Sequence, residues 1–165
     1  MFRDPALLPD PFPDVLRPIA WAAPRDHLAL MRLRRGLAAA EFVVGVPYRL
    51  SYRMVGEVRA RIVEVPAGFV TDLSTVPWPL RMLIGPVGRH LEAAVVHDYM
   101  VLHSDGAGET ARRRFADGLM LAQMTEAECW LRWPIYVALR LAGSRRPTRV
   151  DRAVIAEVPA ATCRA

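Results

Sequence analysis

The residues best equipped to act together are His97 and Asp98, adjacent inside the apolar run EAAVVHDYMVL, and Asp117, further along in RRRFADGLMLAQM. Asp72 and Ser74, in TDLSTVPWPL, are two more. An ionised carboxylate in an apolar run is expensive to desolvate unless a partner compensates it, so the His-Asp pair either is satisfied by its surroundings or holds something. One imidazole with two or three carboxylates is a mixed nitrogen and oxygen donor set. It suits a divalent ion, zinc or manganese, that activates water by lowering its pKa. On that chemistry His97, Asp98 and Asp117 are the metal ligands, Asp72 is a fourth ligand or general base, and Ser74 orients the substrate.

The same residues have a plainer reading, and the residues favour it. Asp72 can serve a turn by accepting backbone N–H bonds. Asp98 or Asp117 can hold His97 in one tautomer, in a buried network that fixes helix packing and needs no cofactor. A nucleophilic triad of Ser74, His97 and Asp117 is a weaker option, because Ser74 lacks the strained strand-to-helix elbow that presents such a serine.

For these groups to meet, the chain must place them on facing elements. YRLSYRMV and EVRARIVEV alternate apolar and polar residues around Gly56, which predicts a hairpin with one half-exposed face, and AGFVT predicts a third short strand. The period then changes, predicting helices over Arg89–His103 and Glu109–Met124 joined by the turn SDGAG. His90 sits two helical turns before His97 and returns to nearly the same face. Asp117, with Leu121 and Met124 one and two turns on, is expected to point inward. Two antiparallel helices would thus turn His97 and Asp98 towards Asp117. TEAE from Thr125 matches a capping box and predicts a third helix starting there, kinked or split by Pro134 and stopped at Gly143. The fold class expected is α+β: a small antiparallel sheet followed by about three packed helices.

Outside residues 41–143, taken as one domain, the chain differs in character. Residues 1–26 are dense in proline and predict an extended arm lying on its own domain or on a neighbour. DHLALMRLRRGLAAA, at 26–40, predicts a short helix weakened by Gly36, and residues 144–165 form an Arg-rich tail. The net charge is +5 and every basic residue is Arg, but the arginines are scattered without a nucleic-acid motif, so nucleic acid is not expected as a partner. Arg112, Arg113 and Arg114 predict an exposed helix face. Trp130, Trp133 and Tyr136, interleaved with Arg132 and Arg140, predict an amphipathic helix whose aromatic residues pack in the core rather than on a membrane surface. Two cysteines, Cys129 and Cys163, make neither a disulfide framework nor a zinc spacing. No stretch reaches the roughly 20 apolar residues of a membrane span. MFRDPALLPDPFPD has acids and prolines where a signal peptide needs an apolar run, so synthesis and folding in the cytoplasm are expected.

The segment G-F-V-T-D-L-S-T-V-P at Gly68–Pro77, H-D-Y at His97–Tyr99 and A-D at Ala116–Asp117 together resemble a bacteriophage-associated family known as domain of unknown function 1353, over roughly Leu50–Gly143. The resemblance implies a phage or prophage origin and a compact α+β domain, and it carries no activity. A head, neck or tail component of a virion is the expected role. Its partners would be other phage proteins or a second copy met through residues 1–26, and its location the host cytoplasm during synthesis and then the particle. A small metal-dependent hydrolase is the alternative. An adjacent His-Asp on a helix binds metal in the HD phosphohydrolases, but their separate upstream histidine has no counterpart here beyond His90 on the same helix and His27 in another region.

Overall fold

Alternation along the chain builds the strands. The computed structural model describes residues 12, 17–23, 26–33, 41–71, 88–104 and 108–142. They form β1 (Ile19–Trp21), β2 (Leu30–Leu33), β3 (Glu41–Val44), β4 (Tyr48–Met54), β5 (Arg61–Val65) and β6 (Val70–Thr71), then α1 (Leu91–Leu102), α2 (Glu109–Glu126) and α3 (Arg132–Ala142). The fold class is α+β. The chain divides into two compact units, with the strands in one and the helices in the other.

In the strand unit, Tyr48, Leu50, Tyr52 and Met54 of β4 are buried at every second position, and Val63 and Val65 of β5 face the same way. Leu50 stands opposite Val63 and Tyr48 opposite Val65, while Arg49 and Glu64, also opposite each other, pair at 2.9 Å on the other face. Gly56, at φ +90°, supplies the left-handed residue of the connection expected around it. β1 completes an antiparallel sheet of order β1-β4-β5, and β2-β3-β6 is a second antiparallel sheet. The predicted third strand is β6, reduced to two residues. Within the proline-rich arm, Phe12 is buried, its carbonyl accepts from the Arg61 guanidinium at 3.3 Å, and Ile19–Trp21 pair with β4. The described part of the arm thus lies on its own chain.

Several expectations fail for identifiable reasons. Residues 30–33 are strand β2 rather than part of a helix over 26–40, because pairing with β3 offers them backbone partners that a stretch weakened by Gly36 could not supply locally. Thr125 does not open a helix. Its hydroxyl donates to the Leu121 carbonyl at 2.8 Å from inside the last turn of α2. That helix ends with Glu128 at φ 52°, whose N–H bonds the Thr125 carbonyl while the Cys129 N–H bonds the Met124 carbonyl, the Schellman pattern of a left-handed helix stop. Pro134 neither kinks nor splits α3, since it lies in the first turn, where a missing N–H leaves no bond unmade.

The three consecutive arginines of α2 cannot share one face at about 100° per residue. Arg114 is exposed, whereas Arg113 is buried and pairs with Glu109 at 2.8 Å. Trp130 and Trp133 are not core residues either: they are 75% and 56% exposed, while Leu131 and Ile135 take the buried positions.

Candidate functional site

Helix α1 is buried on every face, from Ala93 without a break to Val101. Polar groups in such a helix must find partners inside the protein, and this fixes the roles of His97 and Asp98. The His97 Nε2 lies 2.8 Å from Oδ1 of Asp117 on α2. The other oxygen of Asp117, Oδ2, accepts from Nη1 of Arg140 on α3 at 3.2 Å. One carboxylate therefore joins all three helices, with its two oxygens each holding a different cationic or N–H donor.

Asp117 points inward as its spacing predicts, among buried Phe115, Ala116, Leu119 and Met120 of its own helix. Asp98 is equally buried, with Oδ1 3.8 Å from the His97 Nδ1, beyond hydrogen-bond range but close enough to act through its charge. Burial alone would lower the His97 pKa. The bond to Asp117, with Asp98 and the charges of both carboxylates, outweighs it and holds the imidazole above 6.5. In its charged form, His97 and Arg140 balance Asp98 and Asp117.

Further along the same helix pair, Arg89 just before α1 donates to the carbonyls of Ala127 and Glu128 and pairs with the Glu128 carboxylate at 3.2 Å. With His97 set against Asp117, this makes α1 and α2 antiparallel and brings His90 level with the Gln123–Met124 turn. Among the described residues the buried His90 Nδ1 and both side-chain amide atoms of Gln123 have no hydrogen-bond partner. Burial lowers the His90 pKa. At the far end of α1, Nδ1 of His103 lies 2.7 Å from the Tyr99 carbonyl, which only accepts, so Nδ1 carries the proton. The His103 ring also leans on that of Tyr99, with centroids 4.3 Å apart.

Of the predicted site residues, the structure brings together His97, Asp98 and Asp117. Asp72 and Ser74 lie outside the described residues. Among the described residues, no group of three or more His, Cys, Asp and Glu side chains is arranged to hold a metal ion. The Nε2 of His97 is directed at a carboxylate rather than at a point it shares with the two Asp side chains. Two residues escaped the sequence reading. Arg140 is separated from Asp117 by the second half of α2, a turn and most of α3, and only its place at the polar edge of α3 could have hinted at a partner. Gln123 follows Asp117 by six positions in a helix whose buried face was already apparent.

Residues 48–139, more than half of the chain, match the model of a family described as protein of unknown function (DUF1353). The chain belongs to this family. The DUF1353 match runs from β4 into α3 and takes in His90, His97, Asp98 and Asp117, close to the span expected from the three short motifs. Comparison with curated proteins and with solved structures gives no match. For this DUF1353 member, then, the chemistry of the site rests on its own geometry. The site can store a proton on His97 and lock three helices together.

Proposed function

We propose that this protein is a non-catalytic assembly component, of phage or prophage origin and acting in a head, neck or tail. Its His/Asp cluster would set the shape of the helical unit rather than transform a substrate. The observation that supports this is the occupancy of Asp117: Oδ1 is taken by His97 and Oδ2 by Arg140, both within the protein. Each oxygen keeps a second lone pair, but both oxygens are already aimed at donors on neighbouring helices, which is the arrangement of a cross-link.

The alternative, a small metal-dependent hydrolase using His97, Asp98 and Asp117 with zinc or manganese, draws on one feature. Among the described residues the His97 Nδ1 has no hydrogen-bond partner, and it lies 3.8 Å from Oδ1 of Asp98. Divalent metal in the purified protein and in His97→Ala separates the two, measured after exhaustive dialysis and again after refilling with zinc and with manganese. The assembly reading expects no stoichiometric metal in either and a less stable variant, together with recovery of the chain in purified particles. Stoichiometric metal that disappears in His97→Ala, in a chain absent from particles, would overturn the assembly reading and favour the hydrolase.

A further inference from the structure

Helix α3 has two sides of opposite character. Leu131 and Ile135 are buried, and Arg140 reaches Asp117 from the same element. Trp133, Val137 and Leu141 recur at every fourth position and are 56%, 50% and 82% exposed. At about 100° per residue each step drifts only about 40°, so the three lie within a narrow sector, roughly opposite Ile135. Trp130, in the turn before the helix, is 75% exposed. Tyr136 stands beside the stripe with its ring edge-on to Trp133, at a centroid distance of 6.2 Å. An isolated exposed apolar residue needs no explanation, but an indole, a valine and a leucine aligned along one short helix, with a second exposed indole just before it, do.

The charges on this helix narrow what covers the stripe. RWPIYVALRLA contains Arg132 and Arg140 and no acidic residue, and the whole chain carries a net charge of +5. A second copy docking through the same stripe would bring no acidic side chain from its own α3 to meet Arg132, while Arg140 is already paired with Asp117. An anionic surface meets the same pattern favourably. Indoles favour the boundary between headgroups and acyl chains, aliphatic side chains enter just below it, and an arginine at the helix edge, here Arg132, reaches back to phosphate. No described helix is long and apolar enough to cross a membrane, so such a contact would lie along the surface.

We propose that the Trp130, Trp133, Val137 and Leu141 stripe of α3 seats this protein on an anionic phospholipid surface. The contact is independent of the His97 network and of whether that network is structural or catalytic.

The full chain is sedimented with vesicles of phosphatidylcholine alone and with vesicles that also contain phosphatidylglycerol, while tryptophan emission is followed. Binding to the anionic vesicles with a blue shift, and weakening with added salt, is expected. Trp133→Ser combined with Leu141→Ser should lower the partition about tenfold or more, because both side chains are lost from the buried face. The two positions are exposed, so circular dichroism and the melting temperature should be unchanged in that variant. Three results would overturn the proposal: no binding to anionic vesicles, equal binding by the double variant, or equal binding to both vesicle types. Concentration-dependent dimerisation in sedimentation velocity that the double variant abolishes, without vesicle binding, would give the stripe to a second copy instead.

Discussion

His97 and Asp117 meet at 2.8 Å across two antiparallel helices, both almost fully withdrawn from solvent, and the far oxygen of the same carboxylate is tied to Arg140. Replacing Asp117 by Asn keeps the volume but removes the charge that supports both neighbours. Breaking a buried pair by deleting one partner typically costs about 3 to 5 kcal/mol, so Asp117→Asn should lose about 3 kcal/mol in urea denaturation. A loss below about 0.5 kcal/mol, the level of an ordinary surface change, would show that the network does not hold the fold together.

Arg140 belongs to the same network but sits at its wet end, with 38% of its side chain exposed. Water screens its pairing and can solvate it when the partner is gone. Arg140→Gln should therefore cost only about 1 kcal/mol or less. In a double-mutant cycle with Asp117→Asn the double variant should lose less than the sum of the two single losses, and additivity would mean that the 3.2 Å contact contributes nothing.

The buried histidines His90, at the N-cap of α1, and His97, within it, impose opposite pH dependences. The His97 pKa is raised above 6.5, so the stability it adds is complete below 6.5 and is lost as the pH rises through the raised value. The His90 pKa is lowered by burial, so the neutral ring fits above 6.5 and stability is lost as the pH falls through the lowered value. His97→Gln should flatten the alkaline limb of a stability profile and leave the acid limb, and His90→Gln should do the reverse. Identical profiles for wild type and His97→Gln above neutral pH would contradict the assignment of a proton to that ring.

Glu128 occupies a left-handed position at φ 52° that glycine adopts without strain. Its carboxylate pairs with Arg89 where both side chains are largely exposed, a contact of little energetic weight. Glu128→Gly should accordingly raise stability by about 0.5 to 1 kcal/mol by relieving the backbone, read as a higher denaturation midpoint. A lower midpoint would mean that the Arg89 link matters more than the helix stop.

Local pattern made part of this legible in the sequence. The β4–β5 hairpin follows from strict alternation about a glycine, α1 and α2 from the change of period, and the inward side of Asp117 from the residues one and two turns beyond it. What escaped depends on partners that pattern does not show. β2 exists because β3 pairs with it. Thr125 carries the residues of a helix start yet closes a helix, since its hydroxyl can bond backward as readily as forward. The link from Asp117 to Arg140 spans two helices, and no spacing rule connects positions brought together only by packing.

Helix α1 has no outer face, whereas α3 presents one to solvent along most of its length. The two should therefore differ in how freely their sequences can drift. Substitution at any position from Ala93 to Val101 either overfills a packed interior or strands a polar group, so a saturation scan read out by folding alone should find an unbroken intolerant block there. The same scan should find Trp133, Val137 and Leu141 permissive. Intolerance at those three in a scan read out in living cells would then report selection for something other than folding.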